Sequence, residues 1–129
     1  MKVLAEISVG ELFDKITILN IKTKKIEDKQ KLKNIFNELD TLNKEAKKIV
    51  ISNEISLKDL VARLQSINQE LWEIENIKRE CEANKDFGEN FIKISRDVHF
   101  KNDIRAQIKK EINLLSNSLI VEEKEYSKY

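Results

Sequence analysis

Apolar residues recur along this chain at spacings of three and four, which predicts helices. The first helical segment starts near Ser8, an N-cap residue with Glu11 at capping-box distance, and runs to about Ile26. Val9, Leu12, Phe13, Ile16 and Leu19 mark its apolar face. Lys22, Lys24 and Lys25 sit at its C-terminal end, where the helix dipole favours cations. A second segment, about 29–50, carries Leu32, Ile35, Phe36, Leu39, Leu42, Ala46 and Ile49. The pattern breaks over Ile51–Ser56, with Ser56 as the next candidate N-cap.

The third segment, about 57–83, has a heptad-like stripe of Leu57, Leu60, Leu64, Ile67, Leu71, Ile74 and Cys81, interrupted by Lys78. Asn84–Gly88 reads as a tight connection, with Gly88 supplying its flexible position. The fourth segment, about 89–117, bears Phe91, Ile94, Val98, Ile104, Ile108, Ile112 and Leu115. The tail from Ser118 to Tyr129, with Leu119-Ile120-Val121 inside it, is expected to pack as a short extended piece. The expectation is an all-α fold: one all-helical domain over residues 1–129, an antiparallel bundle of about four main helices with a short C-terminal tail. An elongated pair of helical hairpins, completed by dimerising, is the alternative, and a homo-oligomer is expected.

Composition narrows the function classes. Two glycines and no proline exclude a turn-rich β-sandwich or barrel. With 24 Lys and Arg against 23 Asp and Glu, the net charge of +1 lacks the basic field of a nucleic-acid binder, so no nucleic-acid partner is expected. No stretch approaches the ~20 apolar residues of a membrane span. Glu6 interrupts the N-terminus too early for a signal-peptide core, and the single Cys81 forms no intrachain disulfide. A reduced, cytoplasmic setting follows as the expectation, with Cys81 as a packing residue. His99 is the only histidine, so no His-rich metal site is expected.

The chain uses 20 Lys but only 4 Arg, alongside 18 Ile and 12 Asn, an A/T-rich codon signature. Against that bias the retained Arg63, Arg79, Arg96 and Arg105 are informative, because a planar five-donor fork is what Lys cannot reproduce.

Candidate chemistry lies beside the apolar stripes. Asn68, Trp72, Glu75, Arg79 and Glu82 fall on one side of the third helix, at the border of its core face. On the fourth helix, with Ile104 as zero, Arg105 lies at about 100°, inside the apolar arc. Lys109 and Asn102 lie near its edge, at about 140° and 160°. Polar groups near a core must be paired or face a cavity. Arg79, Arg105, Lys109 and Asn102, balanced by Glu75, would make a mixed-charge pocket between helices three and four, suited to a phosphate, a carboxylate or a sugar phosphate. A buried ion-pair network that fixes helix register is the competing reading. Glu11 and Lys15 form an i,i+4 pair on the first helix, with Lys15 beside the apolar stripe. Glu70 and Glu73 resemble the E-x-x-E of helical nucleotide pyrophosphohydrolases, but Asp97 and Asp103 lack the second acidic partner that family needs.

The opening Ile7-Ser8-Val9-Gly10-Glu11-Leu12-Phe13-Asp14-Lys15-Ile16-Thr17-Ile18-Leu19 resembles a family of small proteins from bacteria and marine phages, domain-of-unknown-function family 6165. Leu71-Trp72-Glu73-Ile74-Glu75 with Arg79 and Glu82 extend the match. So do Asp86-Phe87-Gly88, Arg96-Asp97-Val98, Asn102-Asp103-Ile104-Arg105, Lys109, Asn113 and Val121-Glu122-Glu123-Lys124 with Tyr126. His99 stands where the family pattern has Tyr. The resemblance covers nearly the whole chain and implies no established activity or cofactor. It implies only a link to surface-polysaccharide synthesis.

The expected function is therefore a helical protein whose polar inter-helical pocket binds an anionic small molecule. Its ligand contacts are expected among Glu11, Lys15, Asn68, Trp72, Arg79, Arg96, Asn102, Asp103, Arg105 and Lys109. Glu75 is the candidate general base, provided burial raises its carboxyl pKa. The alternative is a non-enzymatic adaptor whose helices serve oligomerisation or partner binding.

Overall fold

A computed structural model describes all 129 residues. Four helices form in chain order: α1 (Val9–Lys25), α2 (Lys29–Ala46), α3 (Glu54–Ala83) and α4 (Glu89–Leu115). There are no strands, and no helix is long and apolar enough to cross a membrane. Ser8 caps α1 as its spacing predicts, its Oγ accepting from the Glu11 amide at 3.0 Å. Asn53, not Ser56, caps α3: its Oδ1 accepts from the Ser56 amide at 3.0 Å, so the helix starts a turn earlier than the apolar stripe.

The connection after α3 also differs from expectation. The left-handed residue there is Lys85 (φ 54°), while Gly88 has negative φ and serves as the N-cap of α4. The Asp86 amide donates back to the Cys81 carbonyl at 2.9 Å, closing α3 in a Schellman-type stop that puts its positive φ three residues before the glycine. Asn117 (φ 52°) ends α4 in the same way, the Ser118 amide reaching the Asn113 carbonyl at 2.9 Å.

The helices alternate in direction. Lys101 reaches Glu70 and Arg63 reaches Glu111, so α4 runs antiparallel to α3. α1 pairs with α4 from Gly10–Asn113 through Asp14–Arg105, again antiparallel. α2 packs on α1 alone. α1 is therefore the central helix, buried on two opposite faces. Leu12, Ile16 and Leu19 pack against Ile35 and Leu39 of α2. The other face carries Gly10, Asp14, Thr17 and Ile21, spaced four, three and four, and turns toward α3 and α4. Two further apolar clusters join α3 to α4: Leu64 and Ile67 with Ile108 and Ile112, and Ile74 and Cys81 with Ile94. Cys81 is a buried free thiol, as its reading as a packing residue expects. Ile104, the zero of the α4 angular scale and one edge of its apolar arc, is 49% exposed. The buried arc is centred about 80° away, near Ile94 and Ile112, which leaves Arg105 close to its middle.

Gly10 sets how closely α1 approaches α4. A Cβ there would lie 2.5 Å from the Lys109 carbonyl oxygen and 2.9 Å from Asn113 Oδ1. Gly to Ala inside a helix normally stabilises by roughly 1 kcal/mol. Here the sign reverses, because two backbones would have to separate: Gly10→Ala is expected to lose about 1–3 kcal/mol in urea unfolding. An unchanged or raised unfolding midpoint would show that the helices can part at no cost.

Candidate functional site: a buried carboxylate clamp and the groove above it

Asp14 lies in the middle of α1 on the face turned to α3 and α4, with its side chain 2% exposed. A carboxylate so placed needs donors from every neighbour, and it has them. Asn68 of α3 donates to Asp14 Oδ1 at 2.9 Å and to Thr17 Oγ1 at 2.9 Å. Arg105 of α4 lays its guanidinium edge-on against the same carboxylate: Nε reaches Oδ1 at 2.9 Å and Nη2 reaches Oδ2. This is the fork-to-fork geometry that Lys cannot make. Lys109, one turn further along α4, contacts Glu11 Oε2 at 2.6 Å and Asp14 Oδ2 at 3.8 Å, and is 14% exposed.

Around this clamp the first turn of α1 is fully capped. The Val9 amide donates to Ser118 Oγ at 3.1 Å, the Gly10 amide to Asn113 Oδ1 at 2.6 Å, and the Glu11 amide to Ser8 Oγ. Ser8 Oγ in turn donates to Glu122 Oε1 at 3.0 Å, and Glu122 also faces Lys109 Nζ at 3.3 Å. Three carboxylates (Glu11, Asp14, Glu122) thus meet two cations (Arg105, Lys109).

The charges shape the proton affinities. Burial alone would push the Asp14 carboxyl up, but hydrogen bonds from Arg105 and Asn68, with the charges of Arg105 and Lys109, more than offset it and hold it below its ordinary value. The hydrogen bond to Asp14 raises Arg105 further. Burial would depress Lys109, but Glu11, Asp14 and Glu122 outweigh it and raise its affinity for its proton.

Above the clamp runs a groove of about 770 Å³ between α4 and the tail. The tail turns back after Ser118 and runs antiparallel along α4: Glu123 faces Lys110 at 3.6 Å, then Lys124 faces Asp103 at 3.1 Å. At its end Tyr129 donates its phenol proton to Asp103 Oδ2 at 2.6 Å. From Leu119 onward the tail makes no backbone–backbone hydrogen bond, so side chains alone hold it. Arg105, Lys109, Asn102 and Asp103 line the groove, while Asn68 and Glu11 form the layer behind it.

The remaining sequence-derived candidates lie elsewhere. Arg79 pairs with Glu75 at 3.1 Å in solvent, with side chains 77% and 57% exposed. Glu75 stands in solvent, so the burial on which its expected role as general base depends is absent. Because α3 and α4 are antiparallel, Arg79 faces the start of α4 and sits about 16 Å along α3 from Asn68, three turns from the clamp. The groove lies on the side of α4 away from α3, under the tail, and Arg79 and Glu75 take no part in it. Trp72 is half-buried and lines no part of it. Arg96 is exposed beside Asp97 and Phe100 in a separate shallow depression. Lys15 pairs with Glu11 at 3.5 Å and remains exposed.

Sequence reasoning passed over Asp14, Thr17, Ser8, Asn113 and Glu122 as site residues. A signal was available: Gly10, Asp14, Thr17 and Ile21 form a second stripe opposite the apolar one, and small and polar residues at that spacing mark a close helix contact. Nowhere do three His, Cys, Asp or Glu side chains converge in the manner of a metal site.

Fold and site together define an all-helical protein with a buried Asp–Arg clamp beneath a tail-covered groove. The chain belongs to the family of unknown function DUF6165, whose model matches residues 1–129. No curated protein and no solved structure matches it.

Asp14→Asn leaves Arg105 without its counter-charge, and breaking such a pair costs about 3–5 kcal/mol. Because the folded Asp14 pKa is lowered, its contribution is complete above the ordinary value of 3.8 and is lost as pH falls through the folded value. In urea unfolding the gap between wild type and Asp14→Asn should be full at neutral pH and close below pH 3.8. A gap that does not change with pH would mean that the Asp14 carboxyl has the same proton affinity in the folded and the unfolded chain.

Proposed function

We propose that the protein binds an anionic small molecule, a phosphate, a sugar phosphate or a nucleotide sugar, in the groove between α4 and its returning tail. The observation that carries this reading is the asymmetry of the charges around Lys109 and Arg105. The carboxylates behind them, Asp14 and Glu11, sit on a packed helix and fix the cations in place. The carboxylate on their outward side, Glu122, belongs to the irregular tail and is 50% exposed. Half-exposed ion pairs of that kind contribute about 0–1 kcal/mol, so a phosphate with its greater charge can replace Glu122 against Lys109 and Ser8. Glu123 leaves Lys110 in the same way. A volume of 770 Å³ falls within the range of small-molecule sites. A cytoplasmic setting belongs to this reading, alongside the free thiol of Cys81. So does a place in surface-polysaccharide synthesis, which rests on the family resemblance alone.

A second reading is a helical adaptor. It is favoured by the way Asp14 engages Arg105 at both Nε and Nη2, so that the clamp serves register between α1, α3 and α4. α2, attached to α1 only, leaves Phe36 54% exposed, and in this reading a second copy of the chain covers it.

Calorimetric titration with inorganic phosphate, sugar phosphates and nucleotide sugars separates the two. Saturable binding is expected, with roughly 2.7 kcal/mol of added stability at a hundredfold excess over Kd. Glu122→Gln should bind several-fold more tightly, because the resident competitor has lost its charge, and Lys109→Met should lose binding while keeping its helical circular dichroism. No heat and no thermal shift with any anion, together with a Phe36→Ser variant that dissociates an oligomer, would decide for the adaptor.

A further inference from the structure

We infer that the ligand of this groove carries an aromatic ring as well as an anion, as a nucleoside diphosphate does; the inference rests on the anion-binding reading above. The groove has two chemically different ends. Lys109 and Lys110 stand at one. At the other, His99, Tyr126 and Tyr129 line the wall. His99 and Lys109 are ten residues apart on α4, or about 15 Å along its axis, the scale of an extended nucleotide rather than of a bare phosphate.

The aromatic end is assembled rather than incidental. The chain has only two tyrosines, and both fall in the tail beside this groove. Tyr129 meets His99 edge-on, with ring centroids 5.1 Å apart, and Phe100 at 5.2 Å. Its phenol is fixed by Asp103, so the ring has a defined orientation although the tail makes no backbone–backbone hydrogen bond from Leu119 onward. Tyr126 and Tyr129 nevertheless remain 77% and 80% exposed. Large amphipathic rings, Tyr129 held by Asp103 and Tyr126 against the Lys124 ammonium 5.0 Å from its centroid, yet largely uncovered, are the surface on which a planar base stacks. Asn102 and Asp103 lie between the two ends and offer an amide and a carboxylate to ribose hydroxyls or a base edge. Stacking is tolerant of base identity, so these groups select a ring-bearing phosphate ester without selecting a particular base.

Titration of the full chain with inorganic pyrophosphate, ribose 5-phosphate and uridine diphosphate tests this. Stacking of one base is worth about fivefold to a hundredfold in Kd, so uridine diphosphate should bind more tightly than pyrophosphate by about fivefold or more. Tyr126→Leu, an exposed substitution, should bring uridine diphosphate down to the pyrophosphate level and leave pyrophosphate unchanged. Equal affinity of all three ligands for the wild type overturns the ring while leaving the anion site standing. Equal weakening of pyrophosphate and uridine diphosphate by Tyr126→Leu also overturns it, since the tyrosine would then only pin the tail. Absence of binding by every ligand removes the anion-binding reading itself, and the ring with it.

Discussion

A carboxylate placed in the middle of a central helix, with almost no access to water, governs the rest of this structure. Asp14 cannot be solvated where it lies, so α3 must bring an amide and α4 a guanidinium to it. Those two partners fix the rotation and the axial register of three helices at once. Apolar packing alone would set neither so narrowly, because Leu and Ile tolerate sliding by a fraction of a turn. The clamp is costly if half made, and that cost is what specifies the arrangement.

The same constraint prepares the groove. A lone surface arginine or lysine samples many rotamers, and holding it for a ligand costs side-chain entropy. Arg105 and Lys109 have already met that cost through contacts on their inner side with Asp14 and Glu11. Their outer side faces a tail that makes no backbone–backbone hydrogen bond from Leu119 onward and whose acidic residues are the weakest-held members of the network. Rigid cations beneath a loosely tied cover is an arrangement in which exchange of one anion for another requires little reorganisation. Gly10 contributes to it by letting α1 and α4 approach until the Asn113 side chain can cap the first turn of α1.

Much of this was legible, and the failures have physical causes. The Ser8 cap, the α3 stripe and the burial of Cys81 follow from local spacing, and local spacing is what sequence displays. Arg105 was singled out because it lies within the apolar arc of α4, and it is the residue that enters the core. The pairing of Glu75 with Arg79 was equally visible, but at i,i+4 two charges satisfy each other on their own helix and need no neighbour. Such a pair reads in sequence like groups in search of a ligand, and only the tertiary arrangement shows it apart from the groove under the tail. Asp14 was missed because one acidic residue next to Lys15 on a helix reads as an ordinary surface pair, and only the opposite, second buried face of α1 exposes its role.

The periodicity of this chain by itself determined four helices, their approximate limits and the cap that starts the first, because each depends on residues within a turn or two of one another. Which helix would be central was a tertiary matter. So were the side of α4 on which a cleft opens and the residues that would close it. Asp14 and Arg105 are separated by 91 positions, and Ser8 and Glu122 by 114. No local pattern relates groups so far apart; only the packing of α1 between its neighbours brings opposite charges close enough to require each other.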